Sequence, residues 1–356
     1  MKRSAVVIGV ALVLAAIAYS QRASIVARVL EQGLASRIGA DALAELEDGL
    51  HLALCGAGGP LPAPDASGPC VAVVAGSALY VVDAGTDGVR NLNRMGYPVG
   101  ALQGVFLTHF HSDHIDGLGE MGTLRWASGD NQSPLPVYGP PGVTSVVDGF
   151  NLAYAQDFTY RHQHHGDSVA PLSGAGLSAL PFAMPALGEL STVLEADGLT
   201  VEALAVDHSP VEPAVGYRFS YKGRSLLITG DTVKLANIAQ FAQGVDLLVH
   251  EALAPNLVNL MHEAALQNGN NILAKITHDI LDYHASPVEA AETARSAGVG
   301  HLLYYHIVPP LVVPGQEALF LNGAEDIFPR YTVGKDGVSF SLPAGTNAIV
   351  QTRSGL

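Results

Sequence analysis

Apolar positions change period near residue 50. Before it, residues 22–48 carry Ile25, Val26, Val29, Leu30, Leu34, Ile38, Leu43 and Leu46 at mostly helical spacing, with Glu, Gln and Arg between them. That spacing predicts one or two amphipathic helices, packed on the body or lying on a membrane, with packing on the body the preferred reading. After it the period shortens: Leu50, Leu52 and Leu54 alternate, and residues 70–75 and 78–83 read as a hairpin turning at Gly76-Ser77. Residues 105–108 form a short apolar, β-branched run, and Gly117 and Gly119 limit any long helix just beyond it.

Further along, residues 137–142 read as a strand and turn, and 143–154 as a helix. Residues 170–190 have no clear period and predict an irregular insertion or flap, within an inserted stretch at about 150–198. Residues 199–206 alternate again, and 215–221 and 225–229 form a second hairpin about Lys222-Gly223-Arg224. Residues 246–249 are a strand, 255–282 are helical in period, and 287–297 are a compact helix with proline at its start and Gly298 after it. Residues 301–305 are the last clear inner strand. Strands interleaved with helices make this an α/β chain.

The strand ends carry the chemistry. The run at 105–108 stops at His109-Phe110-His111-Ser112-Asp113-His114, which packs four residues able to bind a metal into six positions. His109 and His111 can turn toward one point, Asp113 and His114 toward a second, so one cluster can serve two metal ions. A lone His-x-His on a polar loop usually binds nothing, but four ligand types directly after a buried strand are hard to dismiss. The other strands end in Asp83, His208, Asp231, His250-Glu251 and His306. Singly, Asp83 reads equally as a turn residue, and His208 or His306 is more often a satisfied core or surface histidine than a ligand; as a set at one edge of a scaffold they predict a site. His162, His164 and His165 read as a His-rich polar loop, the alternative being a substrate mouth.

Composition narrows the partners. The 356 residues are 48% hydrophobic and 14% charged, which describes a well-buried globular chain rather than a disordered one. Lys and Arg total 18 against 33 Asp and Glu, a net charge of -15, and this opposes binding that depends on neutralising many phosphates. No nucleic-acid partner is expected on that ground.

Residues 1–18 read as an export signal: Lys2 and Arg3, an apolar run from residue 5 to 18, and Ala16-Ile17-Ala18 as the cleavage site. The run is shorter than the roughly 20 apolar residues that span a bilayer comfortably. A membrane contact is therefore expected only if the segment stays uncleaved. Its loss would leave 18 − 2 = 16 basic against 33 acidic residues, a net -17. The exported chain would be periplasmic or secreted, with residues 19–48 a helical segment and 49–356 the domain that carries the strand-end cluster. Cys55 and Cys70, in an oxidising compartment, are expected to form a disulfide across a segment rich in Gly and Pro; two unpaired thiols are the alternative.

His109-x-His111-x-Asp113-His114 resembles the signature of the metallo-β-lactamase-fold superfamily. Within it, Val249-His250-Glu251-Ala252 resembles the His-Glu-Ala-Thr motif of ribonuclease Z and the related zinc-dependent arylsulfatases, with Leu253 in place of Thr. Tyr283-His284-Ala285-Ser286, before a helix with Ala290-Ala291, is similar to their downstream His motif. The likeness covers roughly residues 50–310, interrupted by the insertion.

The resemblance implies an αββα sandwich with metals at one edge. It implies one metal on His109, His111 and His208 and a second on Asp113, His114 and His306, with Asp231 bridging and Asp83 supporting the metal loop. Two zinc ions are the expected cofactors, with iron or manganese compatible. A metal-bridging hydroxide would be the nucleophile. Asp113, His284 and Glu251 are the expected catalytic residues, His284 aided by Glu251 donating a proton to the departing oxygen; a helix-capping role is the alternative for His284.

A carboxylate at 231, where lactamases tend to carry Cys or Ser, points to ester cleavage. Acidity and export lead to a small anionic substrate, either a sulfate ester or a phosphodiester. The alternatives are a lactonase or β-lactamase-like acyl hydrolase and an exported metal-binding protein without activity. A homo-oligomer is compatible with all of them.

Overall fold

A computed structural model describes Val7 and residues 18–353. Apart from Val7 and Ala18, the expected export signal lies outside the described residues. The chain divides into two compact units, one ending at Ala42 and one starting at Leu43. In the first, a helix spans Arg22–Arg37. Its apolar residues Ile25, Val26, Val29, Leu30 and Leu34, and Ile38 just beyond, are 46–74% exposed. No helix among the described residues is long and apolar enough to cross a membrane.

The second unit is built on two sheets. The first takes β1 (Gly49–Gly56), β2 (Cys70–Ala75), β3 (Ala78–Val82), β4 (Leu102–Phe106), β5 (Leu135–Gly139) and β6 (Leu177–Pro181). The second takes β7 (Leu190–Ala196), β8 (Leu199–Ala205), β9 (Val215–Tyr221), β10 (Arg224–Ile228), β11 (Leu247–Leu253), β12 (His301–Val308) and β13 (Tyr331–Val333). The chain then returns to the first sheet with β14 (Val338–Pro343) and β15 (Val350–Arg353). The strand orders are β15-β14-β1-β2-β3-β4-β5-β6 and β13-β12-β11-β10-β9-β8-β7. From β3 to β6 and from β10 to β13 neighbours run parallel, so both parallel halves point their C-terminal ends toward connecting loops.

Side-chain alternation decides what lies between the layers. Leu50, Leu52, Val71, Val73 and Phe106 from one sheet meet Val201, Tyr217, Phe219, Ile228 and Tyr305 from the other in a single apolar core. The intervening Leu227, Leu248, Leu302 and Tyr304 face outward under Ala290, Ala291, Ala294 and Ala297 of the helix Pro287–Ala297. That helix has the expected ends: Ser286 and Glu289 form a reciprocal capping box, and Gly298 takes φ 63° beyond it. The small Ala side chains let it lie close on the sheet. This is the αββα sandwich that the resemblance implied.

Three expectations change. The helix read over 143–154 continues to His165, because nothing breaks it before Gly166 at φ 69°. His162, His164 and His165 therefore lie in its last turn rather than in a loop. The aperiodic segment is only partly irregular: β6 pairs in parallel with β5, and β7 pairs with β8. Both are edge strands with few buried residues, ordered by a neighbour's backbone and so lacking the alternation that a half-buried strand shows. The helical stretch at 255–282 is two helices, Pro255–Gln267 and Asn271–Asp279, separated at Gly269 with φ 67°.

Cys55 and Cys70 are joined by a disulfide with Cα atoms 5.0 Å apart, tying the end of β1 to the start of β2. Asp336 fastens the loop it encloses by accepting from Ala57 N, Ser67 N and Asn91 Nδ2, each at 2.9 Å.

Candidate metal centre

The cluster gathers at one edge from several strand ends, with His109, His111, Asp113 and His114 all following β4, and three of its imidazoles are aimed by a bond behind them. Asp83 follows β3 with φ 59° and has left its strand to turn under the next loop. Its Oδ1 accepts from Thr108 N, and its Oδ2 from Thr108 Oγ1 and His114 Nδ1, all at 2.8 Å. His114 Nδ1 thus carries a proton, and Nε2 is the nitrogen that faces inward. The Thr108 hydroxyl proton is committed to Asp83, so Oγ1 accepts from His109 Nδ1 at 3.0 Å, and His109 Nε2 is left as a lone pair. His208, beyond β8, donates from Nδ1 to the backbone oxygen of Tyr283 at 2.8 Å. One carboxylate and two oxygens therefore set the tautomers of three imidazoles.

Asp231 stands at the centre. Its Oδ2 lies 3.2 Å from His306 Nε2, 3.4 Å from His114 Nε2, 3.8 Å from His208 Nε2 and 3.9 Å from His109 Nε2. His111 Nδ1 is 3.1 Å from His109 Nε2, and Asp113 Oδ2 is 3.4 Å from His306 Nε2 and 3.7 Å from His114 Nε2. Two groups result whose ligand atoms lie within 4.8 Å of one another: His109, His111, His208 and Asp231; and Asp113, His114 and His306. Asp231 joins a third with His284 and His306. All seven residues read as ligands from the sequence come together.

His306 reaches the cluster by an irregularity that the apolar pattern does not show. The strand read as ending at residue 305 runs on to Val308. In the ladder with β11, Glu251 faces Tyr305 but Ala252 faces Ile307, so His306 is an extra residue, bulged out at φ 45°.

The chemistry of this set fits a metal. His114 Nε2, His208 Nε2, Asp231 Oδ1 and His306 Nδ1 are buried without a hydrogen-bond partner, an arrangement that costs free energy unless something else satisfies the groups. Burial, with His114 nearby, holds His109 well below the usual histidine range despite the opposing Asp231, leaving it neutral as a ligand must be. Burial would raise the Asp231 carboxyl, but His306 and His114 hold it well below its ordinary value. Both cysteines are in the disulfide, so every available donor is nitrogen or oxygen.

Beside the cluster stand Glu251 and His284. Glu251 is fully buried, and its Oε1 accepts from His284 Nδ1 at 2.9 Å, Thr232 N at 3.0 Å and Ala285 N at 3.2 Å. Burial works against a charge on His284, but the Glu251 carboxylate and its hydrogen bond outweigh it and push the imidazole up to about 9. His250, next to Glu251, turns away: its Nδ1 faces the Glu251 backbone oxygen at 2.8 Å. Thr108, Thr232 and Tyr283 escaped sequence reading. Thr108 passes for one more β-branched strand residue, Thr232 contributes only its amide, and Tyr283 contributes a carbonyl, which no side-chain pattern reveals.

Fold and cluster together define a class: a metal-binding hydrolase of the metallo-β-lactamase superfamily, and the Beta-lactamase superfamily domain matches residues 79–307. Ribonuclease Z of Mycobacterium bovis (strain BCG / Pasteur 1173P2) is 35% identical over 292 residues, covering 81% of this chain and 96% of the relative. The chain belongs to the ribonuclease Z family. Two solved structures share the fold. The metallo-beta-lactamase fold protein YhfI from Bacillus subtilis has a TM-score of 0.58 at 19% identity, covering 83% of this chain and 100% of that one. Human tRNase Z, short form, has 0.57 at 19%, covering 82% and 99%.

These likenesses correct two expectations. The expected exported hydrolase of small sulfate esters or phosphodiesters is overturned by relatives that are named ribonuclease Z. The exclusion of nucleic acid falls with it. Its flaw was physical: a net charge of -15 sums the whole surface and does not give the local field at a site edge, which is what a polyanion meets.

Proposed function

We propose that the chain is a zinc-dependent phosphodiesterase acting on RNA. The observation that carries this is the convergence of two ligand groups on Asp231, a carboxylate and not a thiol, in a chain 35% identical to a ribonuclease Z. His109, His111, His208 and Asp231 would hold one zinc ion, and Asp113, His114 and His306, sharing Asp231, a second. Bound zinc would supply a nucleophile at neutral pH and Lewis acidity toward the phosphoryl oxygens.

The remaining work falls to the chain. Asp83 and Thr108 would hold the Nδ1 protons of His114 and His109, turning their Nε2 atoms toward the metal. Asp113 is the least buried carboxylate of the two ligand groups, 14% exposed at its side chain, and would accept a proton from the attacking side. His284 Nδ1 is committed to Glu251, so the proton free to leave is on Nε2, and it passes to the oxygen that departs from phosphorus. Glu251 makes that transfer repeatable by holding the imidazolium.

Purified chain should carry close to two zinc ions and cleave a transfer-RNA precursor transcript, with loss of activity on chelation and recovery on adding zinc. A fully zinc-loaded chain that left the transcript intact would sink this reading.

A further inference from the structure

The two helices Pro255–Gln267 and Asn271–Asp279 carry the chain away from the end of β11 and return it at Tyr283. The return point is pinned from three sides: Tyr283 O accepts from His208 Nδ1, Ala285 N donates to Glu251, and Leu253 N donates to Ala285 O at 2.9 Å. The Tyr283 backbone is held there, and its ring packs against two imidazoles. Its centroid lies 4.7 Å from the His208 ring and 4.6 Å from the His284 ring, so it adjoins both a residue of the ligand cluster and the proton donor. The ring is half-buried and keeps an open part. Tyr305 is the other tyrosine with a ring contact to the cluster among the described residues, and it is fully buried in the core between the sheets. Tyr283 is the tyrosine that an arriving molecule can touch.

We infer that Tyr283 is the platform on which a nucleobase next to the scissile phosphate stacks, making it a specificity-determining residue of the site. This rests on the RNA reading above and deepens it. A phenol ring offers a flat face at little entropic cost, and stacking tolerates any base, since every base has a π-face. A ring fixed beside the departing oxygen's proton donor sets the register of the strand without contacting phosphate. The His208 bond uses the Tyr283 backbone, so exchanging the side chain leaves that support in place.

The test titrates zinc-loaded full chain with adenosine monophosphate and, in parallel, ribose 5-phosphate, using wild type, Tyr283→Ala and Tyr283→Phe. Wild type should bind the nucleotide about tenfold or more tightly than the sugar phosphate, consistent with a stacked base. Tyr283→Ala should bind both alike, Tyr283→Phe should keep the preference, and all three should hold the same zinc. On RNA, Tyr283→Ala should lose activity mainly through KM. Equal binding of the two ligands by wild type overturns the inference, as does a preference surviving in Tyr283→Ala. Loss of the preference in Tyr283→Phe overturns it too, because the hydroxyl would then be the contact. If wild type prefers the nucleotide yet cleaves no RNA, the platform stands and the RNA reading alone fails.

Discussion

The site contains the same pair twice, a buried carboxylate behind a histidine, and the two copies are built differently. Asp83 holds His114 from a strand end and spends both oxygens, one on the Thr108 amide and one on the Thr108 hydroxyl and the imidazole. Glu251 sits within β11, uses Oε1 for three donors and leaves Oε2 without a partner. Behind Asp83 stands a histidine whose inner nitrogen is 3.4 Å from the central carboxylate, in a group able to hold an ion. Behind Glu251 stands one flanked by Tyr283 and, like His114, held above the usual histidine range by its carboxylate neighbours, the residue proposed above as the proton donor. A carboxylate–histidine pair therefore has no fixed task; what faces the second nitrogen decides it.

That contrast can be broken most severely at the point both copies share. Asp231→Ala should bring activity to background with loss of bound zinc, read by metal analysis, because four imidazoles lose their common carboxylate. His284→Ala should lower kcat by roughly 10²–10⁴-fold, the usual worth of a general acid, with zinc content unchanged. A parallel loss of zinc would place His284 among the ligands instead. Asp83→Ala should act the other way round, weakening zinc binding by about 10–100-fold in a chelator competition and restoring most activity at saturating zinc.

The smallest effect lies away from the site and serves as its control. His301 is held down to about 4 by burial and by nearby Arg330. The unfolded chain takes up that proton near 6.5 and the folded chain does not, so stability is full above pH 6.5 and drains away as pH falls toward 4. His301→Gln should flatten the fall of Tm between pH 7 and 5 by a few degrees while leaving zinc content alone. An unchanged slope would show that other histidines carry it.

How much of this was legible follows the same physics. Strands with one or both faces in the core announce themselves, and each ligand could be found because it stands where such a run stops. The edge strands β6 and β7 could not, since their order comes from a neighbour's hydrogen bonds. In β14 the signal was present and went unread: Val338, Phe340 and Leu342 are buried and alternate with Ser339 and Ser341, yet the strand lies past the last ligand, where no chemistry drew attention to it. Charge misled most, because a total says nothing of where it lies. Backbone partners such as Tyr283 O leave no mark on residue type at all.

The bulge at His306 has a consequence of its own. Seven residues of β11, Leu247–Leu253, run beside eight of β12, His301–Val308, and the surplus one is the histidine. The centre is thus assembled by a miscount between neighbours. Removing a single residue from the longer strand would make the ladder more regular and close the gap through which His306 reaches its partners, so a change that tidied the sheet would disable the enzyme.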